Sequence, residues 1–184
     1  VLLHFQLPDQ LPEAFVDNQE KTMLTTEQAL ALKTDVEADP TLSLLPPSAD
    51  SAFAIAAAYE VDTDPAFIVW KTQVIKDEIT QNGFDWTRLD NLSVGKARVW
   101  DALFENQNFS MNPSKPNVRA GIEEVWKGTA ADLAVRAAIY VHCKRTANRL
   151  EALLATGTGT DAEPATMTYV GTVSYQDVLS AMGW

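Results

Sequence analysis

The sequence predicts a mainly α fold: a single compact helical domain of about six helices, with one small C-terminal β element and an extended N-terminal arm. Three observations lead there. Capping signals built on Ser or Thr recur ahead of apolar residues at helical spacing. The stretch before Met23 scatters its apolar residues between Pro8 and Pro12. One segment, residues 166–175, alternates and is rich in Thr, Tyr and Val. A chain of 184 residues that is 46% hydrophobic suits one domain with its own core. The expected division is an arm over residues 1–22 and a helical domain over 23–184. No repeat of fixed period is present.

Thr25 caps the first expected helix and Gln28 returns the hydrogen bond, with Ala29, Leu32 and Val36 as its stripe and Asp39-Pro40 as its stop. Pro46-Pro47 makes a rigid connection. Ser48 caps a second helix to about residue 59, apolar around nearly its whole circumference and so expected to be buried. Asp64-Pro65 reads as another helix start. Phe67, Ile68, Trp70, Val74, Ile75 and Ile79 would give that helix an apolar face to residue 80, and Asn82-Gly83 its end. Phe84-Asp85-Trp86 is expected as an aromatic loop, followed by a helix over about 93–105. Residues 106–116 hold two X-Pro pairs and read as an ordered loop. A short helix with Val118, Ile122 and Val125 runs to Trp126. Thr129 and Asp132 open the strongest helix, expected to reach about residue 155. Residues 157–160 break it, residues 166–175 form one strand or a small hairpin around Gly171, and Ser174 with Asp177 caps a short final helix.

Charge is distributed unevenly. Lys and Arg number 14 against 25 Asp and Glu, a net charge of -11. So acidic a chain is a poor sequence-independent nucleic-acid clamp, because phosphate binding needs clustered cations. Residues 1–64 hold twelve acids and two bases, whereas residues 96–155 hold nine bases and six acids, a net +3. The plain reading is a solvated acidic face. The other is head-to-tail assembly, with the acidic part of one copy meeting the basic part of the next. The opening Val1-Leu2-Leu3-His4-Phe5 has no basic flank and is too short to span a bilayer. Residues 1–22 are expected either disordered, laid along a neighbour, or as an extension upstream of a start at Met23.

Catalytic chemistry is not expected. One cysteine, Cys143, excludes an internal disulfide, and with two histidines it cannot build a Cys/His zinc site. His142 and Cys143 are adjacent, so on a helix they point about 100° apart and do not face each other; a core cysteine is the expected role. The pairs Asp62/Asp64, Asp77/Glu78 and Glu123/Glu124 read as solvated helix ends, and Pro65 excludes a calcium loop after Asp62. Gly157-Thr158-Gly159-Thr160 follows a helix instead of opening one and lacks a Gly-Lys-Ser/Thr ending, so it is a connector. No catalytic, cofactor or metal residues are assigned, and no small-molecule substrate or membrane partner is expected.

The aromatic residues point to protein contacts. Trp70, Trp100 and Trp126 lie on expected helix faces and read as core. Trp86, in a loop between Phe84 and Arg88, is the best interface anchor, since Trp and Arg dominate binding hot spots. Lys115, Arg119 and the terminal Trp184 complete the interface candidates, with Trp184 expected to dock into the protein's own core or a neighbour. A DNA-associated packaging or regulatory role would draw on Lys96, Arg98, Lys115, Arg119, Lys127, Arg136, Lys144, Arg145 and Arg149, for which +3 is a weak charge.

Two stretches carry a family resemblance: Asp85-Trp86-Thr87-Arg88-Leu89-Asp90-Asn91-Leu92-Ser93-Val94-Gly95-Lys96-Ala97-Arg98-Val99-Trp100, and Asn112-Pro113-Ser114-Lys115-Pro116-Asn117-Val118-Arg119-Ala120-Gly121-Ile122 continuing through Trp126-Lys127-Gly128-Thr129-Ala130-Ala131-Asp132-Leu133-Ala134. With Leu24-Thr25-Thr26-Glu27-Gln28, the chain from Met23 onward resembles a family of small proteins encoded among the virion-structure genes of tailed bacteriophages and prophages. The resemblance implies a structural subunit of the head–tail connection or tail, repeated around a ring and touching other phage structural proteins. It implies a place in the virion, with assembly in the bacterial host cytoplasm. It carries no functional residues.

Overall fold

Thr25, Ser48, Asp85, Ser93, Thr129, Asn148 and Ser174 each accept a backbone N–H at a helix start. Their side-chain oxygens satisfy donors that a helix leaves without internal partners, which fixes where those helices begin. The computed structural model describes residues 24–80, 84–106 and 108–184. In chain order it contains α1 (Thr26–Ala38), a 3-10 turn (Leu42–Leu44), α2 (Ala49–Glu60), β1 (Ile68–Trp70), β2 (Val74–Ile75), α3 (Lys76–Thr80) and α4 (Trp86–Asp90). Next come α5 (Val94–Ala102), β3 (Ser110–Met111), α6 (Pro116–Val125), α7 (Ala130–His142), β4 (Lys144–Thr146), α8 (Arg149–Leu154) and α9 (Tyr175–Met182). The fold is mainly α, as the capping pattern implies. The arm over residues 1–22 and the helix end at Asn82-Gly83 lie outside the described residues.

The elements enclose two main hydrophobic cores. One is built by α1, α2, α8 and α9 around Leu32, Val36, Ile55, Tyr59, Leu150 and Val178. The other gathers Trp70, Val74, Ile79, Trp100, Ile122, Trp126 and Ile139 from the segments between β1 and α7. Between them, Val69, Ala147, Ala165 and Met167 form a small third cluster. The strand β1 joins these bodies: it pairs antiparallel with β4, Val69 opposite Arg145, and its other edge bridges to Ala165.

Several expectations need correction. No helix runs from Asp64 to residue 80; that segment is β1, β2 and only then α3. Ile, Val and Trp fit a pleated, half-buried surface, and pairing with β4 and Ala165 satisfies their backbone better than an isolated helix would. The helix from Thr129 ends at His142 rather than at residue 155. Residues 144–146 turn into β4, and Asn148 opens α8 through a capping box with Glu151. Residues 166–175 form no strand; the segment contributes a single bridge, Thr156 to Thr166. Phe84-Asp85-Trp86 is no loop but the start of α4, because Asp85 accepts from Thr87 N. Loop 106–116 contains β3, paired with β2. The helix after Ser93 stops at Ala102, and α2 is buried on one face only, with Phe53 54% exposed and stacked on Tyr175.

The first core is closed by a charge cluster across 114 residues of sequence. Arg149, at the start of α8, donates to Asp35 and Asp39 at 2.8 Å each and lies 4.5 Å over the Tyr59 ring. Tyr59 Oη donates to Asp35 at 2.5 Å. This fastens α1, α2 and α8 together. Asp39 also accepts the N–H groups of Leu42 and Thr41; these, with Arg149, hold its carboxyl down at about 2 from an ordinary 3.8. A lowered folded-state pKa contributes stability that is complete above the unfolded value and lost as pH falls through the folded one. Melting temperature should therefore drop between about pH 4 and pH 2, and Asp39→Asn should lower stability at neutral pH while flattening that acid limb. Thermal melts across this range read both effects.

Candidate interaction surface

Asp85 sets the geometry of the Trp86 segment. Its Oδ1 accepts from Thr87 N at 3.1 Å and from Thr87 Oγ1 at 2.6 Å, bonds that hold its carboxyl below the usual range. The cap directs Trp86 outward from the first position of α4, where it is 54% exposed. Its ring is not loose. It meets Phe84 edge to face at 5.2 Å, and Phe84 stacks on Trp100 at 5.9 Å and meets Trp126 at 6.0 Å. Trp100 and Trp126 are in edge contact at 5.5 Å and fully buried. An aromatic column thus runs from the second core to the surface, with Trp86 as its outer end. Edge-to-face pairs of this kind add about 0.5–1.5 kcal/mol beyond their area burial.

Cations gather beside it. Arg88 lies 3.7 Å from Asp85. Lys96, on α5, donates to the carbonyl of Lys127 at 3.2 Å, and Lys127 pairs with Glu124. Asp132 accepts from Thr129, which chiefly lowers its carboxyl, and the charges of Arg88 and Lys96 act in the same direction. Arg88 and Lys96 therefore lie near the first turn of α7, while the Lys127 ammonium is held by Glu124. Three apolar side chains on these helices are exposed: Trp86 on α4, Val94 (70% exposed) on α5 and Leu133 (46%) on α7. A half-exposed Trp held in place by buried rings, with an Arg on the same helix, is the composition of an interface hot spot.

The expected candidates separate here. Trp86 and Arg88 are on this surface. Phe84 is buried and backs Trp86 from below, so it is a core residue. Lys115 is exposed just before α6. Arg119 is turned inward: Nη1 donates to the carbonyls of Pro113 at 2.7 Å and Ser114 at 3.0 Å, and the guanidinium lies 4.9 Å over Trp70. It fixes loop 112–116. Trp184 packs against the first core, its N–H donating to Leu179 O.

Other cations of the 96–155 region are likewise engaged within the chain. Lys144 pairs with Asp161, Arg145 grips Glu151 with two bonds of 2.7 and 2.6 Å, and Arg149 holds Asp35 and Asp39. Val94 and Leu133 escaped sequence reasoning because each sits at the start of a helix whose later residues are core. Cys143 is fully buried, and desolvation pushes its thiol up to about 12. Among the described residues no group of three or more His, Cys, Asp and Glu could hold a metal ion, and no helix is long and apolar enough to cross a membrane. No protein-family model, curated protein or solved structure matches this chain.

Two outcomes are expected. Trp86→Ala should lower unfolding free energy by about 1–3 kcal/mol, whereas Trp100→Ala should cost about 3–5 kcal/mol; urea titrations read the contrast. A thiol reagent at neutral pH should leave Cys143 unlabelled in the folded protein and label it fully in denaturant, with mass spectrometry as the readout.

Proposed function

We propose that the chain is a non-catalytic structural subunit of a tailed-phage virion, acting in the head–tail connection or tail through protein–protein contacts. The observation that carries the contact role is Trp86: a large aromatic, half exposed and held in one orientation by a column of buried rings, with Arg88 on the same helix. Pre-organised Trp and Arg supply contact area with little ordering cost, which is what an interface hot spot requires. The phage setting comes from the resemblance of residues 85–100 and 112–134 to virion-structure gene products. In this reading the partners are further copies of the chain and other phage structural proteins, and assembly takes place in the host cytoplasm.

The reading is tested on virions. Mass spectrometry of gradient-purified particles should detect the chain at a constant copy number per particle. Deleting its gene should leave unjoined heads and tails, or tails of aberrant form, by electron microscopy. Absence from purified particles together with an unchanged yield of infectious phage would overturn it.

A further inference from the structure

Helix α1 presents a second apolar face that the first core leaves open. Leu30 is 64% exposed, and with Ala31, Ala38 and Leu153 of α8 it lines a groove of about 530 Å³. The same Leu30 lines a cleft of about 410 Å³ between α1 and α9, together with Leu24, Ala29 and Ala181. Sharing Leu30 makes the two a continuous track along α1, from Leu24 at one end to Ala38 and Leu153 at the other. An apolar track of this kind on a helix needs something to cover it.

The chain itself enters this track. Leu24, where the described residues begin, is buried in the first core and forms part of the cleft wall. Residues 1–23 are therefore tethered at its mouth, and they carry Leu7, Leu11, Phe15 and Val16. Reach is not limiting. The track follows the thirteen residues of α1, about 20 Å at helical rise. Val16 stands eight residues before Leu24 and Leu11 thirteen. Those lengths allow spans of up to about 26 Å and about 43 Å, enough for both to turn back over the helix.

Tethering also decides between occupants. A segment joined to its site is present there at an effective concentration of about millimolar, far above that of a second copy or another protein in dilute solution. Charge does not drive the contact. The segment holds Asp9, Glu13, Asp17, Glu20 and Lys21, and the track holds Glu27, Lys33 and Asp35. Burial of apolar side chains therefore works against a like-charge repulsion, which salt screens.

We propose that residues 7–16 fold back along α1 of their own chain, with Phe15 and Val16 over Leu30 and Leu11 toward Leu153. The segment is a strap on this face, and any partner of the α1–α8 groove has to displace it first. The contact lies within one chain, so it stands or falls independently of the virion role.

The test is disulfide trapping in the full chain, whose own Cys143 is buried. Phe15→Cys is combined with Leu30→Cys or, as the reference pair, with Asp50→Cys at the exposed start of α2. Circular dichroism melts select variants that fold like wild type. Air oxidation with copper–phenanthroline is run at about 1 μM, where a tethered encounter outpaces one between copies. The 15–30 pair should close inside a monomer at least about tenfold faster than the 15–50 pair. Adding Leu11→Asp and Val16→Asp should remove most of that advantage, and raising salt from about 50 mM to about 1 M should increase it. Equal rates for the two pairs, an advantage untouched by the two Asp substitutions, or one that falls with salt overturns the proposal. Disulfide-linked dimers in place of closed monomers overturn it as well, and assign the track to the same segment of a neighbouring copy.

Discussion

The fold depends on the pairing of residues 61–71 with residues 143–149. Thr63 N donates to Ala147 O, Ala147 N to Phe67 O, Lys71 N to Cys143 O and Arg149 N to Val61 O, around the β1–β4 ladder. These bonds leave few backbone groups of either segment without a partner. They also place Val69 in the small central cluster and Trp70 in the second core. Residues 159–165 complete the other edge, with Ile68 N donating to Gly159 O and Trp70 N to Ala165 O. The two cores are held against each other by hydrogen bonds of long sequence separation, which no helix could make.

That pairing also explains the electrostatics. Turning the chain at Cys143 brings Arg145 to Glu151 and Arg149 to Asp35 and Asp39. The acidic first third and the more basic later region thus meet partly inside one molecule. Segregated charge along the sequence is, to that extent, a folding device: Arg149 neutralises carboxylates that α1 would otherwise crowd together. The surplus that remains on α1 and α2 faces solvent.

The same separation governs the interaction surface. The second core stacks Phe84, Trp100 and Trp126, and Trp86 is the ring left over at its edge. Its exposure follows from the Asp85 cap, which starts α4 at Trp86 and points that side chain away from the core. Rigidity and exposure in one residue are produced by two neighbours, one polar and one aromatic.

Much of this was legible in the sequence wherever the determinant was local. The caps at Thr25, Ser48, Thr129 and Ser174 act over three residues, and all four helices begin where those residues require. That Trp86 is half exposed while Trp70, Trp100 and Trp126 are buried agrees with the sequence, which put those three on apolar element faces. Residues 64–80 misled because Phe, Ile, Val and Trp at those positions satisfy a helical face and a strand equally well. The inward bonds of Arg119 were not legible because its carbonyl partners, Pro113 and Ser114, lie in a loop whose path sequence does not specify.

The sequence by itself determined a mainly α chain, the helix starts, the exclusion of an internal disulfide and an acidic front. Tertiary structure decided where helices stop and strands begin, which tryptophan reaches solvent and which charges are neutralised. Caps and stripes are read from neighbours a few residues apart, whereas strand pairing and ion pairs such as Arg149 to Asp35 join groups more than a hundred residues apart, whose meeting depends on the packing of everything between them.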